Sequence, residues 1–234
     1  VAHHLNKDSA EIRHLNFYGV ESRNTTHYEQ LVENNRLYTL YEKLVESSEY
    51  FKRRKAIKEF NAKNKYIKRG LALTPVKFGI SFTTSFLNQA GALVNIYQDG
   101  TVLVNHGGTE MGQGLHTKML QVASSELGVS PKHIKVNATN TSKVPNTSAT
   151  AASSGSDLNG MAVKNAIEKL KARLSPLVAK LLTQKFNGIS VKENDIVFDN
   201  DLVFDKNNPQ NTIEFKELIS AAYLNQISLS ATGF

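Results

Sequence analysis

Four glycines fall within eight residues near the middle of this 234-residue chain, in the segment Gly107-Gly108-Thr109-Glu110-Met111-Gly112-Gln113-Gly114. An apolar strand pattern precedes the segment and an amphipathic helix pattern follows it. Glycine adopts backbone angles closed to other residues, and the first turn of a following helix presents free N–H groups suited to anionic oxygens. This segment, the glycine loop, therefore predicts either a ligand-binding loop or a tight connection between a strand and a helix.

The pattern around the glycine loop is that of a sheet with packed helices. Alternating or continuous apolar runs predict four strands, over 70–78, 80–84, 92–98 and 102–106. The pair Asp99-Gly100 favours a tight antiparallel hairpin between the last two of them. Apolar residues at helical spacing then predict a helix over 115–127 that Gly128 ends, followed by a short strand within 133–139.

The C-terminal part repeats this alternation of elements. Ser156 is predicted to cap a long helix, which Pro176 is expected to end or restart. Apolar triplets at 196–198 and 202–204 predict a second hairpin, and Thr212 is expected to cap the last helix.

Two segments of different character follow from these patterns. Residues 1–69 are predicted to be mainly helical, because apolar residues return at helical spacing within 8–17 and 28–60. Residues 70–234 combine strands and helices without strict parallel units. The predicted fold class is α+β, with mixed or antiparallel sheets and packed helices.

Composition excludes several kinds of function. The chain has no cysteine, which excludes disulfides, thiolate zinc sites and iron–sulfur ligation within it. No apolar stretch approaches the ~20 residues that span a bilayer, and the N-terminus lacks the apolar core of a signal peptide. We therefore expect a cytoplasmic protein with no membrane partner.

The formal net charge is +7, and basic residues are densest over 52–69. No recognised nucleic-acid motif frames that stretch, so no nucleic-acid partner is predicted. A solvated helix face explains it, and a basic face that docks an acidic partner is the alternative.

A second loop is rich in small polar residues. Residues 140–155 contain mainly Ser, Thr, Asn and Ala, and they connect two regular elements. The stretch 147–154 within them is called here the Ala-Ser loop. Because both this loop and the glycine loop precede a helix N-terminus, together they are predicted to cradle an anionic ligand.

Titratable residues near the glycine loop do not form a predicted metal site. Glu110 and His116 are six residues apart, which is not a zinc-binding spacing. No plausible third ligand is supplied by His3, His4 or His133. Glu110 and His116 are expected to have solvated or structural roles, and His106 is expected to hold the glycine loop.

Three blocks of sequence, in order, resemble the molybdopterin-binding region of the xanthine dehydrogenases, which are molybdenum hydroxylases. The blocks are KFGISFT with FLNQAG at 77–83 and 86–91, GGTEMGQGLHTK at 107–118, and VPNTSATAAS at 144–153. Weaker similarity extends towards both ends of the chain. The resemblance implies an oxidoreductase that uses a molybdenum–molybdopterin cofactor.

The resemblance also implies which residues bind that cofactor. In the glycine loop they are Gly112 and Gln113, whose side-chain amide both donates and accepts hydrogen bonds and so matches a pterin edge. In and after the Ala-Ser loop they are Ala152, Ser153, Ser154, Gly155 and Ser156. The alternative for these serines and glycines is that they only cap a helix.

The same resemblance implies a binding wall for a purine substrate, hypoxanthine or xanthine. The aromatic residue that matches Phe82 packs on the purine in this family, and Thr83 offers a hydrogen-bonding group beside it. Leu87, Ala151 and Ala152 leave room for a flat ring. Without the resemblance, Phe82 would be interpreted as a plain core aromatic, which is the usual fate of phenylalanine. Aldehyde oxidation is the alternative reaction.

The chain lacks other parts that the family needs. The general-base glutamate of the family lies in a Gly-Glu-Pro-Pro type motif that is absent here, so no catalytic residue is predicted. Iron–sulfur clusters, FAD and NAD are expected on another domain or subunit that partners this one. We expect an internal fragment that is inactive alone, or else a non-catalytic basic binding module. The electron acceptor and the oligomeric state stay open.

Overall fold

The computed structural model describes residues 1–144, 147–186 and 190–234. Pro145 and Asn146, in the third block of resemblance, lie outside the described residues. The chain divides into two compact units, Val1–Phe78 and Gly79–Phe234.

The first unit is helical. Its helices are α1 (Ser9–Leu15), α2 (Leu37–Ser47) and α3 (Tyr50–Lys63). The Asp8 carboxylate begins α1 by accepting a hydrogen bond from the N–H of Ala10 at 2.7 Å, and it pairs with Arg54 at 2.8 Å. The core is a small aromatic cluster around Phe17, Tyr41 and Tyr50. Most of α3 is therefore left in contact with solvent.

The second unit contains two sheets and three helices among its described residues. In chain order the elements are β1 (Ala92–Ile96), β2 (Val102–His106), α4 (Leu115–Leu127), β3 (Ile134–Val136), α5 (Gly155–Lys185), β4 (Ile196–Asp199), β5 (Leu202–Asp205), β6 (Asn208–Glu214), α6 (Phe215–Leu224) and β7 (Ser230–Gly233). The strand orders are β3-β2-β1-β7 and β4-β5-β6. Only the pairing of β2 with β3 is parallel among these strands. The α+β class is confirmed.

Helices α4 and α5 cover one face of the larger sheet. Val94 and Val104 are opposite each other in the β1–β2 register and are both fully buried. The apolar stripe of α5 that includes Val163, Ile167 and Leu170 packs into the same core. This packing places the C-terminal end of β2 and the N-terminal end of α5, with their two loops, at one edge of the unit.

Several predicted elements are confirmed. The Asp99-Gly100 pair does join β1 and β2, with Ile96 opposite Val102. Helix α4 has the predicted bounds and ends at Gly128, whose φ is +64°. The predicted second hairpin is the β4–β5 pair.

The strands predicted over 70–78 and 80–84 are wrong, because this segment forms no strand. Pro75 has no N–H to donate to a neighbouring strand. Further on, the side chain of Asn88 takes the place of a strand partner for Phe82. It accepts from the Phe82 N–H and donates to the Phe82 carbonyl, both at 2.9 Å.

Pro176 neither ends nor restarts its helix, since α5 continues through it to Lys185. A proline inside a helix costs about 3 kcal/mol. Leu174, Leu177 and Val178 are buried on either side of it. Burial of such side chains stabilises by about 1.5–3 kcal/mol each, which outweighs the cost.

Two predicted helix caps are also wrong. Helix α5 begins at Gly155 with Ser154 at the N-cap, two residues before the predicted Ser156. Thr212 lies in β6, where pairing with β5 buries Ile213 opposite Val203. Helix α6 therefore starts only at Phe215.

Candidate cofactor site

The glycine loop leaves β2 through two glycines that are needed for packing. A Cβ atom on Gly107 would lie 2.0 Å from Oγ1 of Thr147, and one on Gly108 would lie 2.5 Å from Cδ2 of Leu115. Gly112 and Gly114 have open space around them but adopt φ of +95° and +77°. The first pair therefore admits close neighbours and the second pair turns the backbone.

The carboxylate of Glu110 accepts hydrogen bonds from the backbone amides at the start of α4. It accepts from the N–H groups of Gly112 at 2.9 Å, Gly114 at 3.0 Å and His116 at 2.9 Å. The hydrogen bond from His116, followed by those from Gly114 and Gly112, lowers the pKa of Glu110. Glu110 thus has the structural role expected of it, and an external anion would compete with it for these amides.

Gln113 folds back onto its own loop. Its Oε1 accepts from the N–H of Met111 at 2.5 Å, and its Nε2 donates to the carbonyl of Thr109 at 2.8 Å. A primary amide has two donor hydrogens and two acceptor lone pairs. One donor and one acceptor position of Gln113 therefore remain for a ligand.

Three hydrogen bonds that involve backbone groups connect the glycine loop, the Ala-Ser loop and the segment before β1. Thr150 accepts through Oγ1 from the N–H of Thr109 at 2.8 Å. Thr147 accepts from the N–H of Gly91 at 3.3 Å, and the N–H of Ser148 donates to the carbonyl of Gln89 at 3.1 Å. The two loops thus form one wall.

The Ala-Ser loop is held in a strained conformation. Ala152 and Ser153 have φ of 51° and 55°, in the left-handed region that costs a non-glycine residue about 1–2 kcal/mol. Ser154 is buried and donates through Oγ to the carbonyl of Ala151 at 3.0 Å. The Ala152 carbonyl accepts from the N–H of Ser81 at 3.0 Å.

The helix that follows the Ala-Ser loop keeps free amides at its N-terminus. The side chain of Ser154 at the N-cap does not bond to the first turn. Within the described part of the chain, no acceptor meets the N–H groups of Gly155, Ser156 and Asp157. These amides and the helix dipole favour an anion at this position.

A cavity of about 450 Å³ opens between the two loops. Its lining combines backbone, hydroxyl, amide and ammonium groups, from Met111, Gln113, Leu115, Lys118, Thr150, Ala151, Ala152, Ser153, Gly155 and Ser156. Six residues predicted for cofactor or substrate are thus brought together, namely Gln113, Ala151, Ala152, Ser153, Gly155 and Ser156. Gly112 and Ser154 lie in the same loops but do not line it.

The other predicted substrate residues do not line this cavity. Phe82 is half-buried and Thr83 is exposed, and Leu87 ends a short 3₁₀ turn after them. The hydrogen bond from Ser81 to Ala152 is what ties this segment to the Ala-Ser loop.

Lys118 and Thr150 are the lining residues with polar side chains that the sequence patterns did not single out. Lys118 closes the second block of resemblance and lies one turn after Leu115 on α4, so its helical spacing was the signal that could have found it. No group of three or more His, Asp or Glu side chains in the described ranges could hold a metal ion.

Basic residues of the stretch 52–69 lie mostly on the solvent side of α3 and the segment after it. Some have local partners, such as Lys52 with Glu49 at 2.6 Å and the Arg69 guanidinium over the Phe60 ring at 3.8 Å. Arg53, Lys55 and Lys58 are exposed on α3, where Phe51 is exposed as well. Among the described residues, no helix is both long and apolar enough to cross a membrane.

Comparisons with known proteins agree with a cofactor-binding domain. The family model described as a molybdopterin cofactor-binding domain matches residues 43–234. The chain therefore belongs to the molybdopterin cofactor-binding domain family.

Its relatives include xanthine dehydrogenases. The chain is 45% identical over 234 residues to xanthine dehydrogenase of Calliphora vicina and covers 100% of itself and 15% of that protein. Identity to xanthine dehydrogenase 1 of Arabidopsis thaliana is likewise 45%, again over 15% of the relative's length. The chain thus corresponds to a small part of these oxidoreductases.

Solved structures share the fold. Quinoline 2-oxidoreductase from Pseudomonas putida 86 superposes with a TM-score of 0.78 at 23% identity, over 99% of this chain and 30% of that one. The Cu,Mo-CO dehydrogenase superposes with a TM-score of 0.74 at 23% identity. The superposition covers 99% of this chain and 30% of the dehydrogenase chain.

Proposed function

We propose that this chain forms part of the cofactor pocket of a xanthine dehydrogenase and holds the molybdenum–molybdopterin group between its two loops. The observation that carries the proposal is the cavity of about 450 Å³, in which Gln113 and the start of α5 face one space. The family match and the identity to xanthine dehydrogenases support it.

The donor groups of the cavity suit an anionic, hydrogen-bonding ligand. The free amides of Gly155 and Ser156 and the ammonium of Lys118 would hold a phosphate. A pterin edge would form hydrogen bonds with the hydroxyls of Ser153 and Ser156 and with the remaining donor and acceptor positions of Gln113. At the start of α4, the backbone amides already donate to Glu110. We therefore assign the anionic part of the cofactor to the N-terminus of α5.

When bound, the cofactor supplies hydroxylation of an electron-poor carbon, with water as the oxygen source and electrons leaving through the pterin. The residues of this chain bind and orient it. Since the chain has no cysteine, the iron–sulfur clusters that take the electrons to FAD and NAD would lie on other polypeptide. We propose that the chain is inactive alone, because it lacks the general-base motif of the family, and that it works in the cytoplasm.

The proposed substrate is a purine, hypoxanthine or xanthine. What supports it is the Phe82-Thr83 pair and the small side chains of Ala151 and Ala152. In a full-length protein that carries this sequence, Phe82→Ala is expected to lower kcat/KM for xanthine by about two- to tenfold, because an aromatic contact is worth about 0.5–1.5 kcal/mol. An unchanged ratio of xanthine to aldehyde turnover would favour the aldehyde alternative.

A charge placed at the start of each helix tests the cofactor assignment. Ser156→Glu puts a carboxylate beside the free amides of α5, and Thr117→Glu puts one in the first turn of α4, outside the cavity. Molybdenum and pterin are then measured on the purified full-length protein.

Ser156→Glu is expected to lower the affinity for the cofactor about five- to thirtyfold, and cofactor content with it, since a like charge disfavours an anion by roughly 1–2 kcal/mol in a partly buried site. Thr117→Glu should leave the content within about twofold. Equal loss in the two variants, or full content in Ser156→Glu, would contradict the assignment of the anion to α5.

A further inference from the structure

His106, the last residue of β2, lies beneath the glycine loop and outside the proposed cofactor cavity. Its side chain is 1% exposed. Nδ1 accepts a hydrogen bond from the N–H of Gly108 at 3.1 Å. An acceptor nitrogen carries no proton, so neutral His106 has its proton on Nε2. This contact holds the first turn of the glycine loop.

The protonated nitrogen of His106 has no hydrogen-bond partner among the described residues. Among the described residues, Nε2 of His106 and Oδ1 of Asn159 are both buried without a hydrogen-bond partner. Asn159, on α5, is 4% exposed, and its interaction with His106 favours a proton on the imidazole. A buried donor and a buried acceptor that both lack a partner destabilise the fold unless they meet each other.

Asn159 is also tied to the cavity. Its Nδ2 donates to the carbonyl of Gly155 at 2.8 Å, and Gly155 lines the cavity. On the other side, a Cβ atom on Gly108 would lie 2.8 Å from Nδ2 of Asn159. The side chain of Asn159 therefore lies between the glycine loop and the first turn of α5.

We propose that His106 and Asn159 are a positioning pair, in which Nε2–H of His106 donates to Oδ1 of Asn159 and couples the glycine loop to the start of α5. The pair touches neither cofactor nor substrate and acts through Gly108 and Gly155. Its effect on cofactor binding rests on the proposed function, whereas its effect on the glycine loop does not.

The pair needs a neutral imidazole, because protonation would place a second hydrogen against the N–H of Gly108. Burial, followed by the neighbouring His116, lowers the pKa of His106 to about 4, while Asn159 and Glu110 act in the opposite direction. The ring of His116, on α4, stands edge-on at 5.1 Å between centroids. Among the described residues, the titratable groups whose charges act on His106 are His116 and Glu110.

Two substitutions separate the two hydrogen bonds of His106. The oxygen of asparagine can reach the position of Nδ1, so His106→Asn keeps an acceptor for Gly108 but loses the contact with Asn159. Glutamine reaches the position of Nε2, so His106→Gln keeps a donor to Asn159 but loses the acceptor for Gly108. A space-filling role for His106 would make the two variants alike.

The measurement is amide hydrogen exchange of the peptide that spans 107–114, in a full-length protein carrying this sequence and prepared without cofactor. His106→Gln is expected to speed exchange at Gly108 about tenfold, the worth of one net hydrogen bond, and His106→Asn, which loses only the contact with Asn159, by about threefold. Equal exchange in both variants, or wild-type exchange in His106→Asn, would overturn the proposal.

A third variant keeps the test decisive if His106→Gln does not fold. Asn159→Asp places a carboxylate beside the imidazole, which favours the charged form by about one pH unit or more. Protonation of His106 should release the amide of Gly108, and in Asn159→Asp the pH midpoint of this release, followed by hydrogen exchange at Gly108 itself, should move up by that amount. An unchanged midpoint at Gly108 would overturn the pair.

Cofactor content of the same proteins separates this inference from the proposed function. If wild type carries no molybdenum or pterin while the exchange differences appear, the positioning pair stands and the proposed function fails. If wild type carries both while all variants exchange alike, the proposed function stands and the pair fails.

Discussion

The two loops of the candidate site look equivalent in sequence, and they differ in what they leave free. Both are short, polar and followed by a helix. In the glycine loop, Glu110 occupies the amides of Gly112, Gly114 and His116. In the Ala-Ser loop, the amides of Gly155 and Ser156 meet no acceptor among the described residues. A glycine-rich loop before a helix is therefore not in itself an anion site, since its own side chains can fill it.

The two loops also reach their shapes by different means. Glycines supply the positive φ angles at Gly112 and Gly114, where they cost little. Ala152 and Ser153 take the same region with a Cβ atom, at a cost that hydrogen bonds to Ala151 and Ala152 must offset. Four experiments test this difference between the two loops.

The largest effect is expected at Gly108. Gly108→Ala would press a methyl group against Leu115 and Asn159, and overpacking of this kind costs typically about 1–3 kcal/mol. Urea unfolding of the protein measures the loss. Gly70→Ala is the control, since nothing lies within 4 Å of the added atom. A change at Gly108 within about 0.5 kcal/mol would mean that the glycine loop moves aside freely.

Removal of the charge at Lys118 is expected to affect cofactor content more than stability. Lys118→Met keeps an aliphatic chain of similar length in the cavity lining but loses the ammonium. Molybdenum and pterin content of the full-length protein should fall several-fold, while the unfolding midpoint stays within the range of surface substitutions, about 0.5 kcal/mol. Lys132→Met, outside the cavity, is the matched control. Full cofactor content in Lys118→Met would remove this residue from the site.

The glycine loop should loosen in acid through Glu110. Because its pKa is lowered from the ordinary value of 4.5, the stabilisation by Glu110 is present above pH 4.5 and is lost as the pH falls through the lower folded pKa. Hydrogen exchange of the amides of Gly112 and Gly114 against pH would follow it. Glu110→Gln should exchange faster at neutral pH and lose this titration. An unchanged profile would show that the carboxylate does not hold the loop.

The smallest effect is expected from relief of strain in the Ala-Ser loop. Ala152→Gly should leave stability unchanged or raise it by up to about 1 kcal/mol, since glycine adopts a φ of 51° without penalty. Ala151→Gly, next to it and not at positive φ, should lower stability by about 0.5–1 kcal/mol. Thermal unfolding compares them. A loss at Ala152 as large as that at Ala151 would mean that its methyl group packs rather than strains.

Local signals in the sequence were sufficient for several elements. The Asp99-Gly100 pair and the flanking alternation predicted the β1–β2 hairpin, and helical spacing with Gly128 predicted the bounds of α4. Turn residues and apolar periodicity act between neighbours in the chain, so they can be read from the sequence. The fold class followed from these elements and is confirmed.

Prediction failed where contacts that the apolar pattern does not show decided the outcome. The segment 70–84 has the apolar content of strands, but Asn88 takes the hydrogen bonds of Phe82 that a neighbouring strand would need. Thr212 is a typical helix cap by residue type, but the pairing of β5 with β6 places it in a strand. Pro176 stays within a helix because burial around it outweighs its cost.

The residues of the two loops were evident from the sequence, and so was their small, polar, donor-rich character. Which of these donors are free depends on how the chain packs. Glu110 folds onto the amides of α4, Gln113 folds onto its own loop, and the start of α5 is left open. The physical reason is that a sequence specifies how many hydrogen-bonding groups a segment has, whereas their occupation depends on which groups the packed chain brings within about 3 Å of one another.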